Sequence, residues 1–378
     1  MSLPTVPHQR VECRRRVSAV EPASSSRVDR AVKSAAFPSI GQGRLWASIL
    51  AVIIVTVVIL TILSTPLRAQ TCLTSADMES SDRTAVEAAA KRFFDMSTRA
   101  DSDSLKQNSI ASLAADFSGV ERALKDHQPD LAGATASVRP PYLLTVDGSA
   151  AMPRAEFLCG VFGPAGQTSH SSVFVLNNLP PGKYAVAILD VTGGKNPLTL
   201  TFVLQQIGAN WKLAGYSTRQ QQANGHDAAW FAQQARDFKG KGQNHNAWLY
   251  YRQAIALASP VDFMSTQFTD KLYDESQTVQ PADMPATDTA FDLSAGGKTY
   301  RWTAIFPLAV GNDLDVVVKY SAADISDTHK TYDQNVQIIK AVVTKFPELK
   351  SAFAGVVARA VSPTGDDYGS LLEMRDIK

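Results

Sequence analysis

The side chains best suited to proton transfer or metal binding are thinly spread along this chain. The six histidines, His8, His127, His170, His226, His245 and His329, are far apart in sequence. A catalytic or metal-bound imidazole needs a partner that fixes its tautomer or shares its ion, and no local spacing supplies one. His226 and His245 can approach only across a helical hairpin, where each sits at an end or a turn, so we read them as solvated loop residues. Asp366-Asp367 follows Gly365 and reads as a turn. Asp313 and Asp315 flank a strand start and lack the further ligands of a calcium loop. There is no glycine-rich phosphate loop, zinc-like Cys/His spacing, His-Glu-x-x-His or Gly-x-Ser-x-Gly. The pattern assigns no catalytic residue, metal or cofactor, and favours a protein without enzymatic activity.

The three cysteines are divided by an apolar run. Cys13 precedes it, whereas Cys72 and Cys159 follow it. From Leu45 to Leu63 the chain reads LWASILAVIIVTVVILTIL, 19 residues without a charge and without a polar face. At about 1.5 Å per residue a helix of that length spans the roughly 30 Å hydrocarbon core of a bilayer. Residues 1–44 carry eight basic and three acidic side chains, a net of +5, while the remainder carries a net of −4. Basic residues flanking the cytoplasmic end set orientation. We therefore expect a disordered basic cytoplasmic head at 1–44, one transmembrane helix at 45–64, and a periplasmic or extracellular body. Retention of the span as a signal anchor in a bacterial inner membrane is favoured over cleavage after Ala69. An oxidising compartment permits a Cys72–Cys159 disulfide; the alternative is two separate thiols. The overall charge of +1 gives no general attraction to nucleic acid.

The exported body begins with helical periodicity. Val86, Ala89, Ala90, Phe93, Phe94 and Ser97 fall on one face of a helix over 83–98. A second helix runs through Leu105, Ile110, Leu113 and Phe117, and a third covers Val120–Asp126. Strand patterns follow at Tyr142–Asp147, Ala155–Phe162, Ser172–Leu176, Lys183–Val191, Leu198–Ile207 and Trp211–Ser217. Leu198, Leu200, Phe202 and Leu204 alternate with Thr199, Thr201 and Val203, which predicts a half-buried antiparallel strand. Gly193-Gly194 and Gly208-Ala209-Asn210 are hairpin connections.

Leading helices followed by a meander that ends in VLQQIGANWKLAGYSTR resemble the nuclear-transport-factor-2-like (cystatin-like) fold over about 80–220. That resemblance implies an apolar pocket between helix and sheet, for which Phe94, Tyr184, Trp211 and Tyr216 are the candidate lining. It also makes Asp147, Glu156 and Asp190 the nearby carboxylates, with Tyr184 and Tyr216, for any acid–base chemistry. Leu179-Pro180-Pro181-Gly182-Lys183-Tyr184 is similar instead to a strand entry in transthyretin-like sandwiches, a rival that the leading helices oppose.

Residues 225–260 resemble one tetratricopeptide repeat, with Ala235, Phe238, Gly242, Ala247, Tyr251 and Ala254 at its small and aromatic positions. One repeat cannot bury its own faces, so this hairpin must dock on a neighbour. Thr278–Ala290 reads as a linker or surface loop. Residues 288–378 then give two hairpins around a helix over Lys330–Phe346. The expected fold is α+β: an antiparallel sheet with packed N-terminal helices, a helical hairpin, and a small C-terminal sheet-plus-helix domain, behind one transmembrane helix. The expected function is a membrane-tethered binding or scaffold protein with an envelope protein as partner. The alternative is a protein with a pocket for a small apolar ligand, in an isomerase-like or hydrolase-like role.

Overall fold

The computed structural model describes residues 70–286, 289–310 and 313–377. The basic head and the apolar run lie outside them. Among the described residues no helix is long and apolar enough to cross a membrane. The fold is α+β.

The first half is layered. Strand β1 (Gln70–Leu73) leads into helix α1 (Ser80–Thr98), and four shorter helices follow: α2 (Ser102–Gln107), α3 (Ala111–Ala115), α4 (Ser118–Asp126) and α5 (Gln128–Leu131). The buried face of α1 is the stripe Val86, Ala89, Ala90, Phe93, Phe94 and Ser97, the spacing that one apolar helix face requires. The second helix expected through Phe117 is instead two, α2 and α3. Between them Asn108–Ile110 leaves helical geometry and bonds to Leu213: Leu213 N donates to Asn108 O at 2.9 Å, and Ile110 N donates to Leu213 O at 2.8 Å.

Strands β2 (Thr135–Val138), β3 (Tyr142–Val146), β6 (Gly182–Thr192), β7 (Leu198–Ile207) and β8 (Asn210–Gln220) form the main antiparallel sheet. Its order is β1-β3-β6-β7-β8, with β2 also on β6. The two intervening strands, β4 (Met152–Gly163) and β5 (Gly166–Leu179), leave that sheet. They make a second layer with β9 (Met264–Thr266). Consequently β6 has two buried faces. Ala185, Ala187, Leu189 and Val191 meet the helices, while Tyr184, Val186 and Ile188 meet β4 and β5. Strand β7 is buried on both faces too, since Thr199, Thr201 and Val203 are as inaccessible as the leucines between them; the second layer covers the side that alternation had assigned to solvent.

Cys72 on β1 is disulfide-bonded to Cys159 on β4, so the bond ties the edge strand of one sheet to the edge strand of the other. Next to it Gly160 bulges at φ +86°, and a Cβ there would collide with the His170 carbonyl. Glycine is therefore required at that position.

The second half has one core. Helices α6 (Ala228–Gly240), α7 (Asn244–Ala258) and α8 (Gln267–Gln277) pack with a sheet ordered β10 (Phe291–Ala295), β11 (Lys298–Val310), β12 (Asp313–Ser321), β13 (Gly355–Val361) and β14 (Asp367–Glu373). Helix α9 (Thr328–Lys345) connects β12 to β13, which pair in parallel. Phe231, Trp248, Tyr250 and Tyr251 of the helical hairpin share a single apolar cluster with Trp302, Tyr320 and Phe346. The hairpin is thus covered by a third helix and the C-terminal sheet. Val279 and Met284 are buried in the same cluster, which pins down much of the segment that reads as a linker. Between α7 and α8 the chain returns to the first half, where β9 pairs with β5.

Candidate functional site

The four predicted pocket residues do not share one cavity. Phe94 and Trp211 are buried in the cluster between helices and main sheet, with Tyr216 packed against it. Tyr184 lies on the opposite face of β6, against the second layer, where its hydroxyl donates to Pro180 O at 3.0 Å. The pleat accounts for this correction: successive residues of a strand point to opposite faces, and Tyr184 occupies the register of Val186 and Ile188. The space expected as a pocket is occupied by rings, with Phe93 at 5.8 Å from Phe202 and Phe202 at 5.6 Å from Tyr216. Tyr216 keeps its hydroxyl buried beside Ser97, without a hydrogen bond of ordinary geometry. Burial pushes its phenol up to about 12, with Ser97 acting in the opposite sense, so the group is a neutral phenol at physiological pH.

The candidate carboxylates are equally dispersed. Asp147 is exposed. Glu156 lies 3.8 Å from Arg154. Asp190 takes a bidentate pair of hydrogen bonds from Arg139 at 2.8 and 2.6 Å and another from Gln221 at 2.7 Å. Its role is to join the end of the β8 segment to β6 and to the segment after β2.

Three histidines are engaged more closely than solvated loop residues would be. His245, in the first turn of α7, has Nδ1 2.5 Å from Glu348 and Nε2 3.0 Å from Asp283. It bridges three segments of the second half. His226 stacks on Trp230, with ring centroids 3.8 Å apart. His127 lies 3.1 Å from Asp130, whose carboxylate also accepts from Asn196 and Gln220. Burial acts to raise the Asp130 carboxyl, but hydrogen bonds from His127, Gln220 and Asn196 hold it below the usual value. Among the described residues no cluster of three or more His, Cys, Asp or Glu side chains could hold a metal ion.

A groove of about 470 Å³ lies instead along the edge strand β8. Its geometry follows from the two-layer architecture. At one side of the sandwich the disulfide joins the sheet edges. At the other, β8 faces a gap bounded by β5 and the segment Val261–Phe263, with α3 and α4 on the helical side. Thr201, Val203, Gly215, Ser217 and Arg219 line it from one face of the sheet, in cross-strand pairs Thr201 with Ser217 and Val203 with Gly215. A β-bulge between Val203 and Leu204 lets the strand turn at Ala214.

The groove has few fixed polar groups. Thr201 is fully buried and its hydroxyl has no hydrogen-bond partner, a situation that costs about 1–3 kcal/mol for a buried polar group. Arg219 pairs with Asp262 at 2.6 Å across the mouth. On the helical wall Ser118 donates to Asp116 at 3.0 Å, and Arg122 is exposed one turn along α4. Such a lining can grip a ligand by its shape and a small number of hydrogen bonds, and among the described residues it holds no nucleophile–base pair. Of the sequence-predicted lining only Tyr216 borders this groove. Thr201 was visible in sequence only as the polar half of an alternation, and Val261–Phe263 reaches the site through a crossing of the chain that periodicity does not encode.

No family model matches the chain, and no curated protein or solved structure matches it either.

Proposed function

We propose that this chain is a membrane-tethered, extracytoplasmic binding protein that engages an envelope protein through the groove beside β8. The observation that carries the reading is the groove itself: a recess of about 470 Å³ beside the edge strand β8, walled by β5, α4 and the segment Val261–Phe263, with no constellation suited to covalent or acid–base catalysis around it among the described residues. The charge-free run Leu45–Leu63 and its basic flank support the tether and its orientation. The disulfide supports an oxidising compartment for the body. On this reading the first half is a nuclear-transport-factor-2-like core with an added β4–β5 layer. The second half is a tetratricopeptide-like hairpin docked on a sheet that covers it. The β1 strand begins seven residues after Leu63.

The test combines topology with capture. A reporter active only outside the cytoplasm should work when fused after residue 378 and stay silent when fused after Gly43. Full-length protein in mild detergent, incubated with envelope extract, should retain a specific protein. The variant Gly119→Trp should not, because position 119 lines the groove and has open space for a side chain. Capture by both forms alike removes the groove from the reading.

A further inference from the structure

The C-terminal sheet packs on helices with one face only. Along β12, Leu314, Val316, Val318 and Tyr320 point to the helices and join the single cluster of the second half. The residues between them point the other way. The pairing registers align that other face into rows across four strands. Its central row is apolar: Phe306 beside Val317, Val317 beside Val357, and Val357 beside Leu371. None of these four belongs to an apolar cluster among the described residues. Leu371 is 44% exposed, and Leu308 and Val310, on the same face of β11, are 40% and 38% exposed. Val317 is buried at the centre, and Lys319 leans over the neighbouring Phe306 ring at 5.8 Å. The charges on this face divide about the central row. On β12, Lys319 lies two residues to one side of Val317, and Asp315 and then Asp313 lie on the other. The remaining charges cancel in place: Arg359 pairs with Asp367 at 2.7 Å, Glu373 with Arg375, and Arg301 with Asp292. Among the described residues Lys319 has no ion pair. Burial, and then the negative charges of Asp313 and Glu373, hold the Asp315 carboxyl above its usual value, although the Gly355 N–H donates to it.

We propose that this face binds a second copy of the chain, two C-terminal sheets packing face to face about a twofold axis that runs along the Phe306–Leu371 row. Such an axis keeps each residue's place across the strands and reverses its place along them. Val317 of one copy then meets Val317 of the second. Lys319 of each copy lies opposite Asp315 of the other, so the same pair forms twice. A surface that complements itself in this way is what a twofold interface requires. A different protein would have to carry this divided pattern in mirror order, whereas a second copy carries it by symmetry. Aligned sheets pack about 10 Å apart, with interdigitated side chains between them. Four strands about 4.8 Å apart, each about eight residues long at 3.4 Å per residue, give roughly 500 Å² on each copy. The total of about 1,000 Å² is at the threshold for a specific interface. The inference stands apart from the groove beside β8, which lies in the other half.

The test is sedimentation of the full-length chain in density-matched detergent, from about 1 to 100 μM, a range that brackets a modest interface. A dimer should form as concentration rises. Lys319→Asp and Leu371→Asp should each weaken it at least about tenfold, a loss of about 1.4 kcal/mol. Tyr332→Asp should leave it unchanged, because that ring is exposed on α9, on the other side of the sheet. Circular dichroism melts identify any variant that unfolds. A crosslink gives a second readout that leaves every charge in place. Leu371 lies on the axis row, so in a Cys13→Ser background Leu371→Cys faces its own counterpart. A short bismaleimide should join two such chains and should not join two chains of Tyr332→Cys. A chain that stays monomeric over the whole range overturns the proposal. So does a dimer that survives both Lys319→Asp and Leu371→Asp, since its contact would lie elsewhere. A dimer that Lys319→Asp weakens but Leu371→Cys does not crosslink overturns the assigned axis. If the chain is monomeric and Leu371→Asp abolishes capture of an envelope protein, the face takes a different partner and the second copy falls.

Discussion

The two halves of the molecule protect their sheets in different ways. In the first half a sheet is sandwiched between helices and a second, three-stranded layer, giving two separate apolar clusters. The sandwich is fastened at one edge by Cys72–Cys159 and left open at the other along β8. In the second half three helices and α9 share one continuous cluster with the sheet, built around Trp248, Trp302, Tyr320 and Phe346. No disulfide is present there among the described residues. The half held by a covalent clip is also the half with a recessed, unpaired edge. A crosslink constrains the unfolded chain without requiring every edge to be covered, so it is compatible with an open groove in a way that core packing at the same site would not be.

The largest expected effect sharpens the contrast from the second half. Trp248 is 4% exposed and lies over Arg252, whose guanidinium sits 4.8 Å from the ring. Trp248→Ala should cost about 3–5 kcal/mol, the range for removing a large buried aromatic. Urea denaturation followed by circular dichroism measures it. A loss under about 1 kcal/mol would mean that the site relaxes around the deletion, and that the second half does not depend on a tightly packed core.

Removing the clip should cost less and act on the first half. Changing both Cys72 and Cys159 to Ala opens a link between residues 87 apart in sequence. It should destabilise by about 2–4 kcal/mol. The same shift should appear when the wild type is melted in reductant, and the double variant should then be insensitive to reductant. An unchanged melting transition in reductant would break the comparison, because packing alone would then hold both halves.

A smaller effect separates polar anchoring from packing within the first half. Asp130 is buried and bonds to Asn196, His127 and Gln220. Asp130→Asn keeps the shape but cannot accept on both arms, and should cost about 1–3 kcal/mol. The sign with pH follows from its folded-state carboxyl, which is held below the usual 3.8. The native state therefore binds this proton less readily than the unfolded chain. Its contribution is complete above the unfolded value and is lost as pH falls through the lowered one. The wild type should lose more stability than Asp130→Asn on acidification below about pH 4. Parallel pH curves for the two proteins would contradict this assignment.

How far the sequence could be read depends on which features have a local signature. The stripe on α1 was legible because a helix exposes its period within one element. The β6–β7–β8 meander was legible from its glycine-marked hairpins. The second layer was not: β4 and β5 have ordinary strand patterns, and nothing local says that they leave the main sheet. Thr199 and Thr201 therefore read as solvent-facing when they are covered by that layer. Strand β9 is three residues long and α8 follows at once, so neither stands out from the surrounding loop. Tyr184 and Tyr216 are both aromatic residues near the presumed pocket, yet the pleat puts them on different faces. The groove combines β8, α4 and Val261–Phe263 from distant parts of the chain, so its lining is a property of the crossing and not of any motif.

The smallest expected effect bears on the open edge. Gly119 is the second residue of α4, with nothing within 4 Å of where a Cβ would stand. A helical glycine has more freedom to lose on folding than alanine does. Gly119→Ala should therefore stabilise by about 0.4–1 kcal/mol, toward the lower end because the position is in the first turn. The gain comes from the unfolded chain and adds one methyl group to the groove wall. If that wall is an open binding surface, the methyl meets no protein atom and the stabilisation is seen in full. If Gly119→Ala instead destabilises, another part of the chain occupies the space in solution, and β8 is a covered edge. A thermal melt of the full-length variant against the wild type decides between these outcomes. Because the substitution leaves the sheet, the disulfide and both clusters untouched, a loss in place of the gain expected from the unfolded chain would have to arise where the methyl group enters the groove.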